Sequence, residues 1–179
     1  PSISSIDRLK RERASSTSSS IKPLWAFKCE DEVRGTPCVY QGSLFVGCYD
    51  NNLYALNAAD GQFQWKYATE GGVVSRPAVF DGNVFFGSED KNLHVVSART
   101  GKIAWTYATN GKIRSSPRIA EGHVFIGSDD NGLHAVNANT GRALWKFDTT
   151  DYIHSTTFVT NNMVYVGAES GDFYAVDFR

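Results

Sequence analysis

The stretch AVNANTGRALW, residues 135–145, contains the pattern that decides the fold of this 179-residue chain. A short apolar run leads into a Thr-Gly turn, and the chain then returns through a second run that ends on Trp145. The pattern recurs as VVSARTGKIAW at residues 95–105 and as ALNAADGQFQW at residues 55–65, which is a period of 40 residues. A period of this length is typical of solenoids, propellers and repeat arrays.

Other features recur in step with this stretch. The four tryptophans share one repeat position and the turn glycines share another; they are Trp25, Trp65, Trp105 and Trp145, and Gly61, Gly101 and Gly141. Each period predicts four short strands, which in the third unit are residues 115–120, 123–128, 133–137 and 143–147. Asp-Gly and Glu-Gly pairs between the first two strands indicate tight hairpins. The sequence therefore predicts an all-β propeller built from four 40-residue, four-stranded blades.

Residues 135–145 resemble the tryptophan-docking motif of the PQQ-like (quinoprotein-type) β-propeller repeat family, which has the pattern A-x-D-x-x-T-G-x-x-x-W. Asn137 and Ser97 stand at the place of the family's Asp, and Asp60 replaces its Thr once. The resemblance covers roughly residues 25–179 and recurs in phase. It implies that each glycine turn returns the chain to an outer strand, whose tryptophan lies flat between neighbouring blades.

The two ends of the repeat region are complementary. The fourth unit ends at residues 173–179, before its turn and tryptophan strand, whereas the first unit begins with an unattached tryptophan strand at residues 24–27. This predicts closure by strand exchange, in which the first segment supplies the missing strand. A four-bladed ring, an eight-bladed ring made by a homodimer and a fragment of a larger ring are all compatible with the sequence, because each closure removes exposed sheet edges.

Residues 1–22 differ in composition from the rest of the chain. They carry five basic and two acidic side chains, a charge of +3, so the remaining residues carry −4 of the net −1. We interpret them as a Ser-rich basic linker, expected to be disordered and to lead to an upstream domain, and residues 23–179 as the propeller. The acidic body argues against nucleic acid as a partner.

Cysteine usage and hydropathy bear on the compartment. Three cysteines, Cys29, Cys38 and Cys48, do not form a CxxC pattern, so a reducing cytoplasm is the simpler interpretation, although a Cys38–Cys48 bridge stays open. A periplasmic location is the alternative if a signal peptide has been removed. No apolar stretch approaches the roughly 20 residues of a membrane span.

The innermost strands are predicted to face a central channel, and there the repeats differ. Basic residues occupy two positions on the same strand face, which makes a channel-mouth site for an anion or an acidic peptide our candidate ligand site; its residues are Arg34, Arg76, Arg114 and His154. Salt bridges from these residues to Glu30, Asp31 or Glu70 are the alternative.

Two further sets of equivalent residues are interpreted as structural. Asp50, Asp90 and Asp130 follow the middle strands, where turn hydrogen bonds are favoured over a ring of cation ligands. His94 and His134 share their position with two tyrosines, which favours packing and hydrogen bonding over metal binding. No metal, cofactor or catalytic residue is expected.

These patterns favour a non-catalytic propeller that binds a protein or a small anionic ligand, as the sensor or scaffold module of a larger signalling protein. The first alternative is a cell-envelope assembly propeller that resembles the outer-membrane barrel assembly lipoprotein of this fold. The second is a fragment of a PQQ-dependent dehydrogenase. This is disfavoured because the family's dehydrogenases are far longer and use a vicinal Cys-Cys pair, which this chain does not contain.

Overall fold

A computed structural model describes residues 21–179, and residues 1–20 of the predicted linker lie outside the described residues. The described part contains fifteen strands and no helix. The strands are β1 (Cys38–Tyr40), β2 (Ser43–Gly47), β3 (Asn52–Asn57), β4 (Phe63–Ala68), β5 (Ala78–Phe80), β6 (Asn83–Gly87), β7 (Asn92–Ser97), β8 (Ile103–Ala108), β9 (Arg118–Ala120), β10 (His123–Ser128), β11 (Gly132–Asn137), β12 (Ala143–Asp148), β13 (Phe158–Thr160), β14 (Met163–Gly167) and β15 (Phe173–Asp177).

Each unit forms an antiparallel meander, which we call blades 1 to 4. Blades 1 to 3 have four strands each, and blade 4 consists of β13, β14 and β15. Two-residue turns join the first two strands of every blade, with positive φ at both positions, for example 47° at Asp81 and 70° at Gly82. Such turns match the twist of the flanking strands, so the Asp-Gly and Glu-Gly pairs fix the hairpins. The all-β propeller fold predicted from the sequence is confirmed.

The hydrophobic core lies between the blades. One cluster joins Phe45 of blade 1 to Phe86 of blade 2, with Trp65 packed against it. The next cluster joins Phe85 to Ile126, with Trp105 packed against it. Each blade therefore buries its apolar faces only against its neighbours, which explains why a single repeat would not be stable alone.

The four blades form an arc in which the innermost strands contact one another in series, β1 with β5, β5 with β9 and β9 with β13. Within the described residues, β15 has no strand on its outer side, where β4, β8 and β12 lie in the other blades. Residues 24–27 do not pair with β15 and lie against blade 1 instead. Strand exchange between the first segment and blade 4 is thus not made within one chain. All three cysteines are free thiols, so Cys38 and Cys48 are not bridged.

Candidate functional site

The concave face of the arc carries a cavity of about 490 Å³ between the innermost strands β1, β5 and β9 and the segment that precedes β13. Its polar lining residues are Cys38, Arg76, Ser116, Arg118 and Thr156. The backbone N–H of Arg76 donates a hydrogen bond of 2.9 Å to Ser116 Oγ, which ties neighbouring blades together beneath the cavity. Arg76 and Arg118 line the cavity together with the hydroxyl-bearing Ser116 and Thr156, a combination of residue types that suits carboxylate or phosphate oxygens.

Arg76 is the predicted ligand residue that lies in this cavity. Neither Arg76 nor Arg118 forms a salt bridge with any carboxylate of residues 21–179. Arg118 was missed in the sequence because its repeat position holds Cys38, Ala78 and Phe158 in the other blades, which gives no basic pattern. Its location two residues after Ser116, in the same innermost segment of the blade, was the signal that could have identified it.

Arg114 lies instead in a network of charges at the rim of the arc. Its Nε donates to Glu89 of blade 2 at 2.8 Å, and its Nη1 donates to Asp129 of blade 3 at 2.9 Å. Lys112 Nζ also donates to Glu89 at 2.8 Å. Burial alone would raise the pKa of Glu89, but the hydrogen bonds from Lys112 and Arg114 lower it below its usual value. The guanidinium of Arg114 thus links two blades.

His154 continues this network to blade 4. Its Nε2 lies 2.8 Å from Asp129 and its Nδ1 lies 3.2 Å from Glu169. The acidic partners share one repeat position, at Glu89, Asp129 and Glu169, which was the sequence signal for the network. The expected salt-bridge partners Glu30, Asp31 and Glu70 form no salt bridge among the described residues.

Arg34, the last of the four predicted ligand residues, lies apart from both the cavity and the network of Arg114. It forms an exposed salt bridge of 2.7 Å with Glu32, and its guanidinium lies over the Tyr49 ring at 4.9 Å from the centroid. The four predicted ligand residues therefore do not converge on one site. Arg114 and His154 share Asp129, Arg34 pairs locally, and Arg76 lies in the cavity with Arg118. We take the cavity that contains Arg76 and Arg118 as the candidate site.

The equivalent Asp and His residues form hydrogen bonds that connect neighbouring blades. His94 Nε2 lies 2.9 Å from Asp90 of its own blade, and its Nδ1 lies 3.3 Å from the hydroxyl of Tyr67 in the preceding blade. A carboxylate only accepts hydrogen bonds, so Nε2–H is the donor. The third blade repeats the arrangement with Asp130, His134 and Tyr107.

The same carboxylates also close their own turns. Asp90 accepts backbone N–H groups from Asn92 at 3.0 Å and from Glu70 of the preceding blade at 3.2 Å. Burial by itself would raise the pKa of Asp90, but the hydrogen bond and charge of His94 outweigh it and lower that pKa to about 2. These aspartates are engaged in structural hydrogen bonds, and no group of three metal-ligating side chains occurs within residues 21–179.

Trp25, Trp65 and Trp105 dock on the glycine turns of the following blade. Trp65 Nε1 donates to Ala98 O at 3.2 Å, and a Cβ added at Gly101 would lie 2.7 Å from the Trp65 ring. Trp25 makes the same contacts, with Ala58 O at 3.2 Å and with Gly61. The turn glycines are thus required both for positive φ, 67° at Gly101, and for space.

Known structures share this arrangement of blades. BamB from Moraxella catarrhalis superposes with a TM-score of 0.76 at 22% identity, over 86% of this chain and 49% of that one. The computationally designed Ika4 protein superposes with a TM-score of 0.79 at 15% identity, over 88% and 99% of the two chains. Quinohemoprotein alcohol dehydrogenase ADHIIG from Pseudomonas putida HK5 gives 0.73 at 21% identity, over 86% and 34%. At these identities the likeness shows the fold alone.

The chain spans about half of the length of the BamB structure. No curated protein matches it in sequence. None of the residues from 21 to 179 forms a helix able to cross a membrane. The family model described as outer membrane protein assembly factor BamB matches residues 14–78 and 68–179, which together span most of the chain. This protein therefore belongs to the PQQ-like repeat family that the BamB model describes.

Proposed function

We propose that this chain is a non-catalytic binding module, the sensor or scaffold part of a larger protein, whose concave cavity receives a carboxylate or phosphate group of a protein or small ligand. The supporting observation is the pair Arg76 and Arg118, which line the cavity beside Ser116 and Thr156 without a carboxylate partner among the described residues. The proposal includes a cytoplasmic location, which the three free thiols favour.

A labelled oligoglutamate peptide tests the cavity as an anion site. We expect it to bind with an affinity that falls as salt rises, because the contact is electrostatic. Arg76→Gln with Arg118→Gln should weaken binding by about tenfold or more, since charge-assisted hydrogen bonds contribute about 1.5–3 kcal/mol each. The measurement is fluorescence anisotropy of the peptide.

The matched control removes two positive charges elsewhere. Arg99→Gln with Arg142→Gln changes the net charge equally, in the exposed turns before β8 and β12. We expect this variant to bind like the wild type. Equal weakening by both double variants would show general charge attraction and would contradict a site in the cavity.

The family match supports a second candidate, a role in outer-membrane protein assembly as the name of BamB describes. In that case the protein acts in the periplasm. The test is expression of the exported protein in bacteria that lack their own BamB, with the amount of folded outer-membrane protein as the measurement. Recovery of that amount supports this role, and a well-folded but inactive protein excludes it.

The likeness to the quinohemoprotein alcohol dehydrogenase carries no proposal of activity, because it shows the fold alone. Cys29, Cys38 and Cys48 are not adjacent in sequence, so the vicinal pair of that family is not found in this chain. An absorbance spectrum after incubation with PQQ and Ca²⁺ distinguishes the candidates. Binding modules should leave the spectrum of free PQQ unchanged, whereas a quinoprotein fragment should shift it.

A further inference from the structure

Two short polar side chains meet at the boundary between blades 2 and 3. Ser128 Oγ donates a hydrogen bond of 3.3 Å to Thr109 Oγ1. At the boundary between blades 1 and 2, the equivalent hydroxyls of Ser88 and Thr69 share one acceptor, the carbonyl oxygen of Gly71, at 3.0 and 2.7 Å. These two repeat positions therefore bring their side chains together where one blade meets the next.

In the first repeat, cysteines occupy both of these positions. Cys29 stands 40 residues before Thr69, and Cys48 stands 40 residues before Ser88. Cys48 is fully buried, and the partly exposed Cys29 packs against the apolar cluster to which Cys48 belongs. Two thiols thus replace two hydroxyls at one contact between neighbouring repeats.

The backbone around the two cysteines is held as it is in the other repeats. Glu30 N donates to Asp50 Oδ2 at 3.1 Å, and the same bond recurs one repeat later at 3.2 Å. Cys48 Sγ donates to Asp31 O at 3.3 Å, and the equivalent hydroxyl in blade 2 donates to the equivalent carbonyl oxygen. The thiols of Cys29 and Cys48 are therefore presented to each other as the two hydroxyls are between blades 2 and 3.

We propose that Cys29 and Cys48 form a reversible disulfide that locks the segment 24–29 onto blade 1. This modification goes beyond the proposed binding function and does not rest on the anion cavity. The segment carries Trp25 and Phe27, which dock on blade 1 through a hydrogen bond and an aromatic contact. A covalent bond at Cys29 keeps both rings in place, because the chain can then no longer peel away from the blade.

Exchange with a small disulfide such as oxidised glutathione closes the bond in two steps. The thiolate of Cys29, the more exposed of the two, attacks one sulfur of the oxidant and expels the first glutathione thiolate. The thiolate of Cys48 then attacks the Cys29 sulfur of the mixed disulfide and expels the second. The two cysteines together lose two electrons and two protons, and the oxidant is reduced to two glutathione thiols.

The surroundings of the pair make this exchange slow. Burial above all, then the charge and hydrogen bonding of Cys48 and the charge of Asp50, raise the pKa of the Cys29 thiol to about 11. Burial also raises the pKa of the Cys48 thiol. Because the thiolate is the attacking species, the pair responds to lasting oxidising conditions and stays as two thiols in a reducing compartment.

Counting the free thiols of the full chain tests the proposal. The dilute protein is incubated with glutathione at an oxidising ratio, denatured, labelled with N-ethylmaleimide and measured by mass spectrometry. We expect three labels on the reduced protein and one on the oxidised protein, which peptide mapping should place on Cys38. The oxidised protein should also melt about 5–10 °C higher than the reduced one, because the cross-link restricts the unfolded chain. Dithiothreitol should reverse both effects.

The matched control is Cys29→Thr combined with Cys48→Ser, which installs the hydroxyl pair of the other blades. This variant should take up one label and melt at the same temperature with and without the oxidant. Cys38→Ala should still form the bond and take up no label after oxidation. Three labels on the oxidised wild type, glutathione adducts in place of an internal bond, or a bond that includes Cys38 would overturn the proposal. So would a Cys29–Cys48 bond that leaves the melting temperature unchanged.

Discussion

The hydroxyl of Tyr107 lies 3.0 Å from Nδ1 of His134, across the boundary between blades 2 and 3. The equivalent boundary between blades 1 and 2 joins Tyr67 to His94, whereas the two remaining boundaries join Phe27 to Tyr54 and Phe147 to Tyr174. A Tyr on the outer strand always meets a His on the next blade, and a Phe always meets a Tyr. Each boundary therefore has one phenol hydroxyl.

This pairing predicts a compensating pair of substitutions. Tyr107→Phe removes the hydroxyl next to His134 and leaves Nδ1 of a buried imidazole without a partner, which should lower the free energy of unfolding by about 1–3 kcal/mol. Adding His134→Tyr recreates the Phe–Tyr boundary and should recover part of that loss. Urea denaturation of both variants measures it. Tyr152→Phe, on an exposed ring, is the control, and an additive double variant would contradict the pairing.

The turn glycines allow a second prediction with an internal control. Gly101→Ala introduces a Cβ 2.7 Å from the Trp65 ring at a φ of 67°, whereas Gly82→Ala meets nothing within 4 Å at a φ of 70°. Both variants suffer the strain of positive φ, about 1–2 kcal/mol. Gly101→Ala should be more destabilised than Gly82→Ala because it also displaces Trp65. Equal thermal midpoints would contradict the docking role of the glycine.

Acid should weaken the hydrogen bonds through which Asp90 and His94 connect neighbouring blades. The pKa of Asp90 is lowered to about 2 in the folded protein, from 3.8. A carboxyl whose pKa is lowered by folding stabilises the protein above its unfolded pKa, and this contribution is lost as pH falls from about 4 towards 2. We expect a loss of about 2 kcal/mol from this group over that range. Urea denaturation between these pH values measures it.

The variant Asp90→Asn isolates the contribution of this carboxylate to the pH dependence of stability. The variant should be less stable than the wild type at neutral pH, and its stability should fall less steeply in acid. Asp81→Asn, at an exposed turn where Asn tolerates positive φ, should keep the wild-type pH dependence. If Asp90→Asn kept the full acid dependence, other carboxylates would account for it.

Arg114 and Arg34 should differ in their effect on stability. Arg114→Gln leaves Glu89 and Asp129, both largely buried, with fewer charge partners, and should cost about 2 kcal/mol or more. Arg34→Gln breaks an exposed pair with Glu32, which water and salt screen, and should leave the free energy of unfolding almost unchanged. Chemical denaturation of the two variants compares them. A similar small loss in both would show that the rim network does not couple the blades.

The repeat made the fold predictable, but not the identity of the polar partners. Trp65, Gly101 and their equivalents recur every 40 residues, so the docking of an outer strand on the next blade follows from the pattern. The ligand site depends on residues that break the repeat, such as Arg118, and on which carboxylates approach which arginines. Blade orientation brings Arg114 between Glu89 and Asp129, from two different blades. The 40-residue spacing of the acidic residues indicates a network, but it does not tell which basic residue lies between them.

The pairing of outer and inner aromatic residues also limits how such a chain can change its number of blades. In blade 2, His94 contacts the preceding blade and Tyr107 contacts the following blade. Among the three complete blades, it alone can be duplicated or removed with every new boundary still joining a Tyr to a His. Duplication of blade 1 would place Tyr67 against a second Tyr, and duplication of blade 3 would place Phe147 against a His. Blade 2 is thus the unit through which gene duplication or design can alter the number of blades.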